Sequence, residues 1–300
     1  MIDFQDFGIE DVDRHLEYFR RCRQMPSNGS PTIVSGYKDI LSIQRGYAAE
    51  LCWHKMIIDG EEYWSAPMGD WDAIDWRDVF KKHVPAGTAF NFIPEYRVNI
   101  WLRELGNAIE VEEYRDNWDY ILSTERMSKL EGGKLKKLRI ARNGFEKNYD
   151  YRVEEISPEI FDELRQFQAG AEENLQARVE HVVEANEDNS IFHYALAHWN
   201  ELKNLFGFAV RVDGRIAAYS VDEQITDTYS IGLFAKTDYG IRGLNQFAYW
   251  YDAEMQLKRG ILTANIMDDA GEENLRFFKE HLQPIAMLKK YMVTYAPPED

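Results

Sequence analysis

The sequence is short of the features that most readily announce a chemistry. It has two cysteines in 300 residues, Cys22 and Cys52, and they form no CxxC pair. A free, reduced pair in a cytoplasmic protein is the expectation. No apolar run approaches the ~20 residues that a membrane span needs, so no integral membrane segment is expected. The N-terminus, MIDFQDFGIEDVDRHLEYF, has no basic region followed by an apolar stretch and does not read as a signal peptide. There is no GxxxxGK[ST], no GxSxG and no HExxH, which excludes a P-loop, a nucleophile elbow and a zincin helix. The seven histidines are scattered. His193 and His198, five apart, fall on different faces of a helix, so no shared metal is expected. Positive charge is scarce too, with 35 Lys/Arg against 52 Asp/Glu and a net charge of -17. Residues 1–150 carry a net of -5 and residues 151–300 a net of -12. A protein that grips bulk nucleic acid or anionic lipid shows the opposite sign, so an anionic partner must meet a local basic patch.

Aromatic and apolar residues are plentiful. The chain is 45% hydrophobic, with 17 Tyr, 16 Phe and 8 Trp, enough for two cores in units of about 150 residues. Helical spacing of Ile9, Val12, Leu16 and Phe19 predicts a helix over 9–24, and Pro26 to Pro31 reads as a loop. Apolar runs flank Asp59-Gly60, a dipeptide that tolerates positive φ and signals a hairpin. A helix 74–83, a strand 89–93, a helix 95–105 and a strand 109–114 follow. The second half replays this order: helix 190–205, a hairpin at Asp213-Gly214, strand 228–234, helix 244–258, strand 262–267, helix 272–281 and strand 285–295. Gly60 and Gly214 lie 154 residues apart, so the pattern reads as an architectural duplication of an α+β unit with a mixed sheet.

Three stretches could carry chemistry. The first, KLKKLRIARNGFEKNYDY from Lys134 to Tyr151, is a basic helix in an acidic chain. Leu135, Leu138, Phe145 and Tyr149 fall on one stripe and should face the protein, while Lys136, Arg139, Asn143 and Lys147 fall on the next. That second stripe is either a solvated face or a surface for phosphate, carboxylate or an RNA end. The second stretch is TDYGIRGLNQF, where Gly240 and Gly243 lead from a strand into a helix. Such a turn either packs tightly or cradles a pyrophosphate on backbone amides. The third is NIMDDAGEENLRFF, where Asn265 ends a strand and Asp268 and Asp269 precede a helix. The two acids either cap that helix or, through Asp269, hold or deprotonate an amine, with Asn265 positioning a substrate.

With RDNWDYILSTERMSKLEGGKLKKLRIARNGFEKNYDY, VRVDGRIAAYSVDEQI, AKTDYGIRGLNQF and NIMDDAGEENLRFFKEHLQPIAMLKKY in view, the chain resembles the phosphatidylglycerol lysyltransferase C-terminal domain family in a soluble bacterial form. The resemblance covers nearly the whole chain and is densest from Arg115 onward. It implies two tandem acyl-CoA N-acyltransferase (Nat/GNAT)-like domains. The division expected is an N-terminal domain 1–133, a connecting basic helix 134–150 and a C-terminal domain 151–300. Asp119 and Tyr120 match an Asp-Tyr pair, and Lys136, Arg139, Asn143 and Phe145 match a Lys-Arg-Asn-Phe pattern. Lys236 matches a lysine before the Gly243 turn. Asn265, Asp268, Asp269, Gly271, Leu275, Arg276 and Lys279 match a strand-end and helix signature, with Pro284 and Lys289 in step. Ala235 and Ile140 depart from the pattern, standing where it has Glu and Asn.

What the resemblance implies is an aminoacyltransferase that passes an aminoacyl group to a small or lipid-headgroup acceptor at the cleft between the two domains. Aminoacyl-tRNA or a small anionic substrate is the implied partner. An aminoacyl ester is already activated, so positioning and desolvation supply much of the rate and no cofactor is required. Asp269 and Asn265 are the implied catalytic residues. Lys136, Arg139, Asn143, Lys236, Asp268, Arg276 and Lys279 are the implied substrate-binding set. Two alternatives stand beside this reading. One is an acyl-CoA-dependent N-acetyltransferase that uses Gly240 and Gly243 for the cofactor. The other is a non-catalytic ligand-binding protein on the same fold.

Overall fold

The computed structural model describes residues 2–176 and 183–298. The chain divides into two compact units. The first comprises Met1–Tyr120, Met267–Glu273 and Met287–Asp300, the second Ile121–Ile266 and Asn274–Ala286. These are not the contiguous stretches 1–133 and 151–300 read from the sequence. The expected strand 285–295 is two strands, Ala286–Leu288 and Lys290–Tyr295, and they belong to different sheets. The basic helix, Lys136–Asn148, lies wholly within the second unit. Among the described residues no helix is long and apolar enough to cross a membrane.

The sheet of the first unit has seven strands, in the order Gln5–Asp6, Gln44–Ala48, Leu51–Ile58, Glu61–Trp64, Ala89–Pro94, Lys290–Tyr295 and Ile109–Glu113. The Asp-Gly hairpin forms as read: Asp59 (φ +53°) and Gly60 (φ +85°) both take the left-handed conformation that a tight hairpin turn requires. Helix Trp76–His83 buries Trp76, Val79 and Phe80 at helical spacing, and its N-cap Asp75 accepts from the Asp78 amide. Phe80 packs edge-on to Trp101 at 5.0 Å and lies 5.7 Å from Phe90, so aromatic rings form much of this core. A short helix, Pro31–Tyr37, begins at the last residue of the loop read from Pro26 to Pro31. Ser30 caps it by accepting from the Ile33 amide, and Pro31 occupies its first turn, where a missing N–H costs nothing.

Two polar arrangements are buried in this apolar setting. His15 Nε2 lies 2.7 Å from the Gly29 carbonyl, which makes Nε2 the protonated nitrogen and Nδ1 the acceptor. His54 Nε2, 3.4 Å from His15 Nδ1, is then the donor. Burial pushes His15 down to about 4 and His54 well below the usual imidazole range, so both rings stay neutral at neutral pH. The second arrangement ties the strand Lys290–Tyr295 to distant parts of the chain. Lys290 Nζ donates to Asp119 Oδ1 at 2.7 Å and to Ser27 Oγ at 3.3 Å, and Asp119 also accepts from the Ser27 amide and hydroxyl. Lys290 is 1% exposed and Asp119 is fully buried.

The sheet of the second unit also has seven strands, in the order Ala286–Leu288, Asp119–Ser123, Thr263–Asn265, Tyr229–Thr237, Arg215–Thr226, Leu205–Val212 and Tyr151–Glu155. Its Asp-Gly hairpin turns at Asp213 (φ +50°) and Gly214 (φ +80°). Strands Tyr229–Thr237 and Thr263–Asn265 run parallel and pair only from Tyr229 to Ile231. Just beyond, Asp222 faces Gly232 and Val221 faces Phe234, which leaves Leu233 as a bulge. Helix Leu244–Lys258 covers this sheet and packs Phe247 against Phe145 and Tyr151, each at 4.8 Å. The apolar stripe of the basic helix faces inward as read, with Leu135 and Phe145 fully buried and Leu138 nearly so.

Six of the eight tryptophans lie in the first unit, so tryptophan fluorescence chiefly follows its unfolding. Removing one partner of a buried ion pair strands the other charge. Lys290→Met should therefore destabilise the first unit by about 3–5 kcal/mol, seen as a lower urea midpoint. Adding Asp119→Leu should recover part of that loss; no recovery would mean that the lysine acts by shape alone. The histidine pair sets a pH response. The folded pKa of His15 lies below its unfolded value, so between about 6.5 and about 4 the unfolded chain takes up a proton that the folded chain refuses. Stability then falls as pH drops through that window, by an amount on the order of 3 kcal/mol for this group. His15→Gln should lose less stability than the native chain between pH 6.5 and pH 4.5. An equal loss in both would remove the pair from the acid response.

Candidate active site

The stretch read as NIMDDAGEEN forms a loop in an unusual backbone conformation. Met267 (φ +61°), Ala270 (φ +49°) and Gly271 (φ +77°) all lie in the left-handed region, which costs a non-glycine residue energy. A side chain at Gly271 would meet Asp116 at 3.2 Å, so glycine is needed there on two counts. The acids fold the loop around themselves. Asp268 Oδ1 accepts from the Ala270 amide at 3.2 Å, and Asp269 Oδ1 accepts from the Gly271 amide at 3.1 Å. Helix Glu273–His281 follows. Both of these bonds go to amides ahead of the helix, so they shape the turn that leads into it.

Asp269 does more than shape the loop. It is fully buried, and its second oxygen, Oδ2, accepts from the Tyr120 hydroxyl at 2.5 Å and from Arg115 Nη1 at 3.1 Å. Arg115 Nη2 donates to the Tyr120 hydroxyl at 3.1 Å, which closes a three-membered cluster. Burial pushes the Tyr120 phenol above its ordinary range. The hydrogen bond to Asp269 adds to the shift, and the Arg115 charge opposes it. Tyr120 therefore stays a neutral donor. The Arg115 side chain is 31% exposed, so one end of the cluster reaches solvent while the carboxylate beneath it does not. Arg115 is placed by the short helical turn Arg115–Asn117. The Tyr114 amide anchors that turn on the Lys290 carbonyl, and Trp118 Nε1 donates to the same carbonyl. Asp268 Oδ2 lies 3.4 Å from Lys290 Nζ, so the loop also joins the buried ion pair. All these groups belong to the first unit.

The other residues singled out in the sequence belong to the second unit. Asn265 is fully buried and donates to the Tyr229 hydroxyl at 3.0 Å. Lys279 is 6% exposed and donates to the Ile266 carbonyl at 2.7 Å, holding the helix Glu273–His281 to the strand end. Arg276 is half-buried on that helix, and Lys236 half-buried on the strand Tyr229–Thr237. Arg139 donates to the Leu130 carbonyl at the end of helix Thr124–Lys129, while Lys136 and Asn143 are exposed. Gly240 and Gly243 serve turn and packing. The Gly240 amide donates to Asp238 Oδ1, and a side chain at Gly243 (φ +85°) would come within 2.3 Å of the Ala141 carbonyl of the basic helix. Sequence reading missed Arg115, Ser27 and Lys290. Arg115 opens the RDNWDY segment, but nothing local marks it as the partner of an acid 154 residues away.

The arrangement offers a cation, held together with a buried phenol by a buried carboxylate whose oxygens accept from three donors. Such a cluster polarises a carbonyl or holds an oxyanion at its solvent end. Because its oxygens already accept those bonds, Asp269 is built to fix its neighbours.

Comparison with known proteins places the fold. A conserved protein of unknown function from Bacteroides thetaiotaomicron superimposes with a TM-score of 0.87 at 21% identity, covering 98% of this chain and 100% of its own. The C-terminal domain of a putative lysylphosphatidylglycerol synthetase from Agrobacterium fabrum gives 0.67 at 15% identity, covering 95% and 92%. A tandem GNAT protein from the clavulanic acid biosynthesis pathway gives 0.53 at 10% identity over the whole of both chains. The chain is thus a mixed α+β protein of two tandem GNAT-like domains. Curated protein sequences yield no match. Residues 57–294 match the family described as phosphatidylglycerol lysyltransferase, C-terminal. With more than three quarters of its length matched, the chain belongs to that family.

Proposed function

We propose that the protein is an aminoacyltransferase whose reacting carbonyl is held by Arg115, with Tyr120 and Asp269 fixing the guanidinium in place. The observation that carries this reading is the cluster on Asp269, a buried carboxylate in a strained loop that holds a partly exposed cation and a neutral phenol. Family membership supports the reaction class: the family is described by a lysyl transfer to phosphatidylglycerol. The donor in this reading is an aminoacyl-tRNA, and the acceptor a hydroxyl on a lipid headgroup or small molecule.

The step needs no redox partner. The acceptor oxygen bonds to the ester carbonyl carbon, and the carbonyl oxygen becomes an oxyanion that the Arg115 guanidinium stabilises. The bond from that carbon to the donor's ribose oxygen then breaks. The proton lost by the acceptor hydroxyl ends on the departing ribose oxygen. Tyr120, pushed up by burial, keeps its proton through the neutral range and gives it to Asp269 in a hydrogen bond while its oxygen accepts from Arg115, so it orients the guanidinium. Asp269 acts as a positioning residue: without it, Arg115 and Tyr120 lose the anchor that aims them. The sequence suggests that Asp269 holds or deprotonates an amine; its three donors favour the positioning role. At Gly243 the close approach of the Ala141 carbonyl accounts for the glycine through helix packing, so that turn lends no support to an acyl-CoA reading.

The test is transfer of labelled lysine from lysyl-tRNA to phosphatidylglycerol in mixed micelles by the full chain. Arg115→Ala should lower kcat/KM by about 10²–10³-fold. Tyr120→Phe keeps the ring but removes the hydroxyl that links Arg115 to Asp269, and should cost less than Arg115→Ala. Both variants should keep the native circular dichroism. If the native chain moved no aminoacyl group from any charged tRNA, the reaction class would fall. Native rates in Arg115→Ala would move the chemistry away from this cluster.

A further inference from the structure

We propose that the exposed face of the basic helix, Lys136–Asn148, docks the protein on an anionic lipid surface. From Gly132 to Phe145 the chain has no acidic residue, although the whole carries a net charge of -17. The charges on this helix divide into two sets. Both arginines are used internally. Arg139 donates to the Leu130 carbonyl; Arg142 lies 3.7 Å over the Trp250 ring and pairs with Glu146 at 3.1 Å. The lysines are not buried: Lys134, just ahead of the helix, and Lys136, Lys137 and Lys147 within it are all exposed.

At about 100° per residue, Asn143, Lys136, Lys147, Ile140, Gly144 and Lys137 follow one another around an arc of about 120°. Ile140 sits in the middle of that arc and is 59% exposed. Gly144, one turn on, has no side chain, and a Cβ there would meet nothing within 4 Å. The face is therefore flat, with one branched apolar side chain ringed by three lysines. A lone exposed isoleucine means little. An isoleucine framed by lysines, on a molecule with a net charge of -17, has the chemistry of an interfacial contact. The lysine ammonium groups meet headgroup phosphates, their stems lie along the boundary, and the apolar tip enters it. The acidic remainder adds orientation, since this face is attracted to the surface and the rest is not.

Nucleic acid fits the same face less well. The two guanidinium groups are engaged inside the protein, the arc carries no aromatic ring to stack on a base, and Ile140 contributes nothing to a phosphate contact.

The experiment is co-sedimentation of the full chain with vesicles of phosphatidylserine and phosphatidylcholine in about equal parts, against phosphatidylcholine alone, at low salt. The protein should pellet with the mixed vesicles only, and added salt should release it. Lys136→Glu with Lys137→Glu should lower the partition coefficient about twentyfold or more. Ile140→Ser, which leaves the charge unchanged, should lower it about tenfold. Arg115→Ala should pellet like the native chain, so failure of docking and failure of the transfer reaction are separable. The inference is overturned if the native chain stays in solution with mixed vesicles, if the double lysine variant pellets undiminished, or if Ile140→Ser does so. Lysine-dependent binding of an RNA acceptor stem without vesicle binding would hand the face to nucleic acid instead.

Discussion

The first unit is organised around one buried ion pair. Lys290 and Asp119 lie far apart in sequence, and neither has solvent to turn to. A buried charge is tolerable only if paired and hydrogen-bonded, so the two residues must meet for this unit to exist in the form described. Their meeting fixes the strand Lys290–Tyr295 between Ala89–Pro94 and Ile109–Glu113. It also brings the backbone of residue 290 under Tyr114 and Trp118, which fixes the turn that carries Arg115. The candidate site thus inherits its geometry from a pair that need never touch a substrate.

Strain enters at the same place. Two non-glycine residues of the 267–271 loop hold left-handed backbone angles, and the Asp268 and Asp269 carboxylates satisfy the amides that this conformation leaves without ladder partners. The loop is held by the acids that the site uses. A relaxed loop would set Asp269 at another angle to Tyr120 and Arg115, so conformational cost and site geometry are two aspects of one structure.

Much of the fold was legible, and particular residues show why. Both hairpins were readable because Asp-Gly tolerates positive φ and little else does. The inward stripe of the basic helix was readable because its period is that of a helix. The exchange of strands between the two sheets was not, because pairing partners far apart leave no local trace. Residues 285–295 carry no turn signal, yet Lys289 separates two strands of different sheets. There, alternation decides the role of each lysine: Lys289 reaches out to Glu95 at 3.0 Å, and Lys290 turns inward. Asp269 stood out through resemblance, but its partners lie about half the chain away. A single sequence shows what kind of group a carboxylate needs and leaves its address blank.

The placement of the strand Lys290–Tyr295 also bears on the order in which the molecule is made. The sheet of the first unit cannot close until residue 295 has been synthesised, and by then every residue of the second unit has been made. Domains commonly fold from the N-terminus as they leave the ribosome. Here the nascent first unit carries an open slot between two strands, with unpaired backbone and apolar rings beside it. The second unit needs nothing beyond its edge strand Ala286–Leu288, so its last strand is made before the strand that closes the first sheet. Such a chain has reason to meet a chaperone early, and its earliest-made residues are among the last to settle.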